Sequence, residues 1–130
     1  MDAHLQAAHG LTINDYEVLL ALARAPDRRM RRVDLAGQVL LTQSGITRLL
    51  QGLERTGLVE RASCDTDRRV VYACLTDEGY ARLRAAARTH LDDIGALFAA
   101  RFSDGELEQL DGLLGQVLED GSEPDCSVPD

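Results

Sequence analysis

Between Thr42 and Gly57 the chain carries a short amphipathic segment with marked ends. Thr42 is a helix-capping residue, and Gly57 is the glycine that closes a helix by taking a left-handed conformation. On a wheel of 100° per residue, Ile46, Leu49, Leu50 and Leu53 fall within one narrow arc. Ser44, Arg48, Gln51 and Arg55 fall on the opposite side, with Thr47 flanking them. The segment therefore predicts a helix buried along one stripe and presenting a basic, hydroxyl- and amide-rich face to solvent.

Its surroundings narrow the fold further. Residues 33–40 predict a short preceding helix with Leu35, Ala36 and Val39 inward, joined by a brief connection. Two short helices, a tight turn and a polar-basic outer face are the sequence form of a helix-turn-helix. Residues 58–61 and 70–75 alternate like strands on either side of a charged, turn-rich stretch, Cys64 to Arg69, which predicts a β-hairpin with a basic tip. A hairpin directly after a helix-turn-helix is a wing.

Upstream, Thr12 and Asp15 form a short variant of a capping box for a helix whose stripe is Ile13, Tyr16, Leu19, Leu20, Leu22 and Ala23, ended by Pro26 and Asp27. Leu5 to Ala8 read as the last turns of an earlier helix stopped by Gly10. Downstream, Thr76-Asp77-Glu78 open a long helix running to about Phe102, its acids favourably placed at the N-terminal end of the helix dipole. Ser103 with Glu106 is a full capping box for a last helix striped by Leu107, Leu110, Leu113, Leu114, Val117 and Leu118. The long helix outreaches what a small winged core can cover, so its distal stripe (Ile94, Leu97, Phe98) and the last helix predict a homodimer. The fold class is mainly α with a small β-hairpin wing: a winged helix-turn-helix with long C-terminal dimerisation helices. It divides into a remnant of an N-terminal helix at 1–10, the winged helix-turn-helix at 11–76, the dimerisation helices at 77–119 and a flexible tail at 120–130, which carries Gly121, Pro124 and Pro129 among acids.

Charge sorts the partners only when read by segment. The 130 residues carry a net charge of −8, which as a total argues against nucleic acid. Residues 24–69 nevertheless hold ten arginines against six acids, and every basic residue of the chain is arginine. With screening over about 8 Å at physiological salt, such a block acts as a local positive surface. No apolar run is long enough for a membrane span, and the first residues lack the basic and apolar regions of a secretory signal. Three cysteines without metal spacing fit a reducing compartment, so the expectation is a cytoplasmic protein. With the hairpin turn centred near residue 66 or 67, Cys74 lies across from about position 59 and Cys64 from about 69, too far apart for a bridge. Cys64, near arginines, is read as an inert thiol, with a redox sensor as the lesser alternative. The five-residue spacing of His4 and His9 fits no zinc pair, and no Ser-His-Asp or paired-carboxylate pattern stands out. No cofactor, no metal and no enzymatic activity are expected.

The ordered series of motifs resembles the MarR family of bacterial regulators. The resemblance rests on Leu11-Thr12 with Tyr16, Val18 and Leu19, on Asp34-Leu35-Ala36, and on Thr42-Gln43-Ser44-Gly45-Ile46-Thr47-Arg48. It continues through Leu53-Glu54, Gly57-Leu58-Val59-Glu60-Arg61, Asp67-Arg68-Arg69 and Leu75-Thr76-Asp77-Glu78-Gly79, and spans about Leu11 to Leu118. It implies a dimeric winged helix-turn-helix regulator, a repressor of pseudo-palindromic double-stranded DNA that is released by a small-molecule effector. The family's first helix helps build its dimer and lines part of its effector pocket. Only ten residues precede Leu11 here, so the reading is of a remnant, from either a shortened chain or a dimer resting on its C-terminal helices.

The expected major-groove residues are Gln43, Ser44, Thr47, Arg48 and Gln51, because an arginine reaches guanine O6 and N7 bidentately and the groove admits a helix. The expected wing residues are Asp67, Arg68 and Arg69. Arg69 suits a narrow minor groove, Asp67 holds it extended (a pairing the resemblance implies), and Arg68 meets phosphate. Arg28, Arg29, Arg31 and Arg32 read equally as phosphate contacts at the edge of the site or as a solvated loop, and Arg61 as a structural ion pair under the wing. A different class stays open: a winged-helix protein-interaction module with no DNA target, which the acidic total favours.

Overall fold

The computed structural model describes residues 2–63, 66, 67 and 69–118. Cys64, Arg68, Cys126 and the proposed tail lie outside the described residues. The element order is α1 (Asp2–His9), α2 (Ile13–Arg24), a 3₁₀ turn (Pro26–Arg28), β1 (Arg29–Arg31), α3 (Arg32–Gln38), α4 (Gln43–Arg55), β2 (Val59–Ser63), β3 (Val71–Leu75), α5 (Asp77–Ala99), α6 (Asp104–Gly115) and a closing 3₁₀ turn (Gln116–Leu118).

The helix starts follow their caps. The Thr12 hydroxyl accepts from Asp15 N–H at 3.1 Å while the Asp15 carboxylate accepts from Thr12 N–H at 2.9 Å. Ser103 and Glu106 close the same reciprocal box at the start of α6, and Thr42 and Thr76 cap α4 and α5 through Gly45 and Gly79. Each satisfies an orphan N–H of the first turn. The helix ends are less uniform. At the end of α4, Leu58 N–H reaches back to Leu53 O at 3.0 Å and Gly57 N–H to Glu54 O at 3.1 Å, a Schellman closure with Gly57 at φ 77°. At the end of α3 the equivalent bond, Leu41 N–H to Ala36 O at 3.1 Å, puts Leu40 in the left-handed position at φ 58°, its side chain 91% exposed. The expected helix over 33–40 thus starts at Arg32 and stops at Gln38, because the chain reverses at Leu40 rather than continuing through it.

Two further expectations are corrected. The arginine-rich stretch before α3 is not a loop: Arg29, Met30 and Arg31 pair antiparallel with Cys74, Ala73 and Tyr72, giving a three-stranded sheet in the order β1-β3-β2. In the hairpin the register is centred on residue 67, as expected, and Cys74 faces Glu60, within one residue of the expected position. The long helix ends at Ala99, three residues before the expected Phe102; Phe98 and Phe102 stack at 6.0 Å across the turn that follows.

The core lies where α2, α3, α4, the sheet and the first half of α5 meet. Leu19, Leu22, Leu35, Ile46, Leu58 and Leu83 are fully buried there. α1 adds Leu5 and is tied to α5 by His4 Nδ1 to Asp93 Oδ2 at 2.7 Å, His9 Nε2 to Thr89 Oγ1 at 2.7 Å and the Arg82 guanidinium to His9 O at 3.1 Å. The start of α5 abuts the end of α4. Thr76 Oγ1 donates to Gly57 O at 2.7 Å, Thr76 N–H donates to Leu58 O at 3.2 Å, and a Cβ on Gly79 would collide with the Leu58 carbonyl. Only glycine fits that approach. Beyond Ala87 burial stops: no residue of α6 is buried, and Leu91, Leu97, Phe98, Leu113, Leu114 and Val117 are exposed.

Candidate nucleic-acid interface

α4 turns its apolar arc inward as its spacing requires. Ile46, Leu50 and Leu53 are buried and Leu49 partly so. The opposite face is solvent-facing: Gln43, Ser44, Arg48 and Gln51 are exposed, and Thr47 is partly so. These five residues line one open groove of about 360 Å³ on the surface. Their polar groups are not equally available. Thr47 Oγ1 donates to Gln43 O at 2.8 Å, so its hydroxyl is engaged within the helix; Ser44 Oγ lies 3.3 Å from the capping Thr42 hydroxyl. Arg55 folds back, its Nε donating to Gln51 O at 3.3 Å. Arg48 has no hydrogen-bond or ion-pair partner among the described residues, which leaves a full guanidinium fork in the groove.

The hairpin presents a second basic feature. The Asp67 carboxylate accepts from Arg69 N–H at 3.0 Å and from Arg69 Nε–H at 3.2 Å. One oxygen thus fixes both the backbone and the side chain of Arg69, whose side chain is 92% exposed. The brace uses Nε, and among the described residues the terminal nitrogens have no hydrogen-bond partner. Below the hairpin, Arg61 pairs with Glu54 at 3.5 Å, tying β2 to α4.

The four arginines around β1 divide. Arg28 stacks over the Tyr80 ring at 4.0 Å and approaches Asp77 at 3.8 Å; Arg29 lies over Tyr72 at 5.0 Å; Arg31 donates to Asp34 at 3.0 Å. Those three serve the fold, cation over ring or beside acid. Arg32 instead shares the groove of the α4 face, a difference that four nearly adjacent arginines do not betray in sequence.

Among the described residues the remaining titratable groups make no reactive cluster. Burial pushes the Cys74 thiol above its ordinary range, against an opposing pull from Arg29, which disfavours the nucleophilic thiolate. His90 packs against the Tyr16 ring at 4.9 Å, whereas His4 and His9 pair with Asp93 and Thr89. Among the described residues no group of three acid, histidine or cysteine side chains is disposed to hold a metal, and no helix is long and apolar enough to cross a membrane.

This arrangement has close counterparts. The MarR family model matches residues 9–70. The HTH-type transcriptional repressor YetL of Bacillus subtilis is 34% identical over 116 residues, covering 89% of this chain and 69% of that protein. The homoprotocatechuate degradative operon repressor of Escherichia coli is 30% identical over 121 residues, covering 93% and 80%. Among solved structures, Sco3205 of Streptomyces coelicolor, a MarR family transcriptional regulator in complex with DNA, superposes with a TM-score of 0.75 at 32% identity, covering 98% of this chain and 80% of that one. Apo MarR of E. coli, at 24% identity, shares the fold with a TM-score of 0.81 over 88% of this chain and 83% of its own. The chain belongs to the MarR family of transcriptional regulators.

Proposed function

We propose that this regulator acts as a homodimeric repressor that reads pseudo-palindromic double-stranded DNA with α4 in the major groove and Arg69 in the flanking minor groove. It is a DNA-binding transcription regulator and not an enzyme. The observation that carries the residue assignment is the paired availability of two guanidinium groups: Arg48, on the outer face of α4 and without a partner among the described residues, and Arg69, braced by Asp67 at the wing. Gln43, Ser44 and Gln51 flank Arg48 on the same face. With its hydroxyl held by Gln43 O, Thr47 offers its methyl group, a partner for the methyl of thymine. Arg68 is assigned to phosphate from the sequence alone. Residues 11–76 are the DNA-reading unit and 77–119 the dimerising one. The exposed leucines of α6 and the distal phenylalanines of α5 supply the surface for a second copy, whose two-fold axis sets two α4 helices about one DNA turn, ~34 Å, apart. Release by a small-molecule effector completes the reading, on the strength of the family resemblance.

The test is a salt titration of binding to the DNA upstream of the gene and to a scrambled duplex of equal length. Arg48→Ala is expected to cost about 1–3 kcal/mol per half-site and to relax base preference at one position. Arg69→Ala is expected to weaken both duplexes evenly and to flatten the log K against log salt slope by about one per arm, with Asp67→Ala following it in part. If both arginine variants bind both duplexes as the unaltered protein does, the assigned interface is wrong.

A further inference from the structure

We infer that Arg32, which belongs to neither reading element, is a phosphate clamp for the DNA strand that runs between α4 and the wing. The inference rests on the proposed docking, and what carries it is a position that no other arginine among the described residues shares. Arg32 lines the open groove on the outer face of α4 together with Gln43, Thr47 and Arg48. It also lines a separate cleft of about 160 Å³ with Arg31, Val33, Arg69, Val70 and Val71, on the wing side. A third, narrow crevice is lined by Arg32 together with Thr47, Leu50, Glu54 and Tyr72. Arg32 therefore stands at the junction between the helix and the hairpin.

Duplex geometry says what fills that junction. A helix in the major groove and a hairpin in the neighbouring minor groove straddle one sugar-phosphate strand, since that strand is what separates the two grooves. A side chain between the two elements meets phosphate oxygens and not base edges. Arg32 is chemically ready for the contact. It is partly buried, and among the described residues it has no hydrogen bond and no ion pair. Its neighbours are all engaged: Arg28 with Tyr80 and Asp77, Arg29 with Tyr72, Arg31 with Asp34. The nearby carboxylate of Glu54 is held by Arg61. A guanidinium withdrawn in part from water and left without a counter-ion is disposed to take an anion from outside the chain. The strand β1 and the first turn of α3 hold its backbone in place, so little ordering is lost when it does so.

The experiment is a salt titration of Arg32→Gln, Arg32→Lys and, as a control for loss of positive charge elsewhere, Arg24→Gln, which lines a different groove beside Leu20 and Val39. The probes are the upstream duplex and its scrambled counterpart, with thermal melts alongside. Arg32→Gln is expected to weaken both duplexes by the same factor, roughly tenfold per arm near 0.1 M salt, and to lower the salt slope by about 0.9 per arm. Arg32→Lys keeps the slope, because a point charge suffices for phosphate. Arg24→Gln leaves both unchanged. An Arg32→Gln slope equal to that of the unaltered protein overturns the clamp, and leaves the reading of α4 and the wing intact if Arg48→Ala still relaxes base preference. Loss confined to the upstream duplex makes Arg32 a base reader and also overturns it. A slope lost in Arg32→Lys as well, with a lowered melting temperature, assigns Arg32 to packing instead. If the unaltered protein binds neither duplex in a salt-dependent way, the DNA reading itself falls and the clamp with it.

Discussion

The winged lobe and the C-terminal arm spend similar apolar sequence in opposite ways. In the lobe every long stripe closes on another: α2 on α5, α3 on α4, the sheet on α2, with Leu19, Leu22, Leu35 and Ile46 fully buried. In the arm the stripes of distal α5 and α6 are just as regular, yet Leu113 is 63% exposed, Leu114 56% and Val117 79%. α6 has a complete capping box and no buried residue. Good local signals are therefore enough to start a helix but do not provide a surface for its apolar face. The lobe is a self-sufficient core, whereas the arm leaves its apolar face uncovered.

The sharpest way to break this contrast is to damage each side in turn. Leu19→Ala in the lobe is expected to cost about 2–5 kcal/mol of unfolding free energy, because a fully buried leucine leaves a cavity that the packed helices close only in part. Urea denaturation reads it, and a loss below about 1 kcal/mol would mean that the lobe is not the seat of stability. In the arm, Leu113→Asp with Leu114→Asp is expected to leave the lobe's stability within about 0.5 kcal/mol, as exposed sites do. The same double change is expected to bring the sedimenting mass down to one chain at tens of micromolar. A dimeric mass that survives it removes α6 from the interface.

A smaller test asks whether the lobe is as well made as its core suggests. Leu40 sits in the left-handed region at φ 58° with nothing gained from its exposed side chain. Leu40→Gly is expected to stabilise by roughly 0.5 kcal/mol, the relief of left-handed strain less the extra freedom of glycine in the unfolded chain. A decrease in stability would show that the Leu40 side chain makes contacts that its exposure conceals.

How much of this was legible follows from which signals are local. The stripe of α4, its Thr42 and Gly57 ends, and both capping boxes lie within a few residues of each other in sequence, and all were readable. The Asp67–Arg69 brace was readable only through the family resemblance. β1 was not readable, since three residues give no alternation and two of them are arginines. What makes Arg29-Met30-Arg31 a strand is its pairing with Tyr72, Ala73 and Cys74, some forty residues on. Leu40 carries no signal either: a leucine does not announce a left-handed turn, and the closure of α3 imposes it. Arg32 was indistinguishable from Arg28, Arg29 and Arg31 for the same reason. Arg31 meets Asp34 three residues on, but Arg28 and Arg29 are occupied by Tyr80 and Tyr72, which only the fold brings alongside.

The seam between Gly79 and Leu58 makes α5 a lever with almost no play at its fulcrum. Backbone there meets backbone, with Thr76 bolting the joint to the last carbonyls after α4. The Leu75 side chain packs beside the same point. α5 has 23 residues, so its far end lies about 35 Å from the joint, and a tilt of about 5° displaces that end by about 3 Å. If the proposed second copy holds that end, the same geometry run in reverse ties its position to the tilt of the joint after α4.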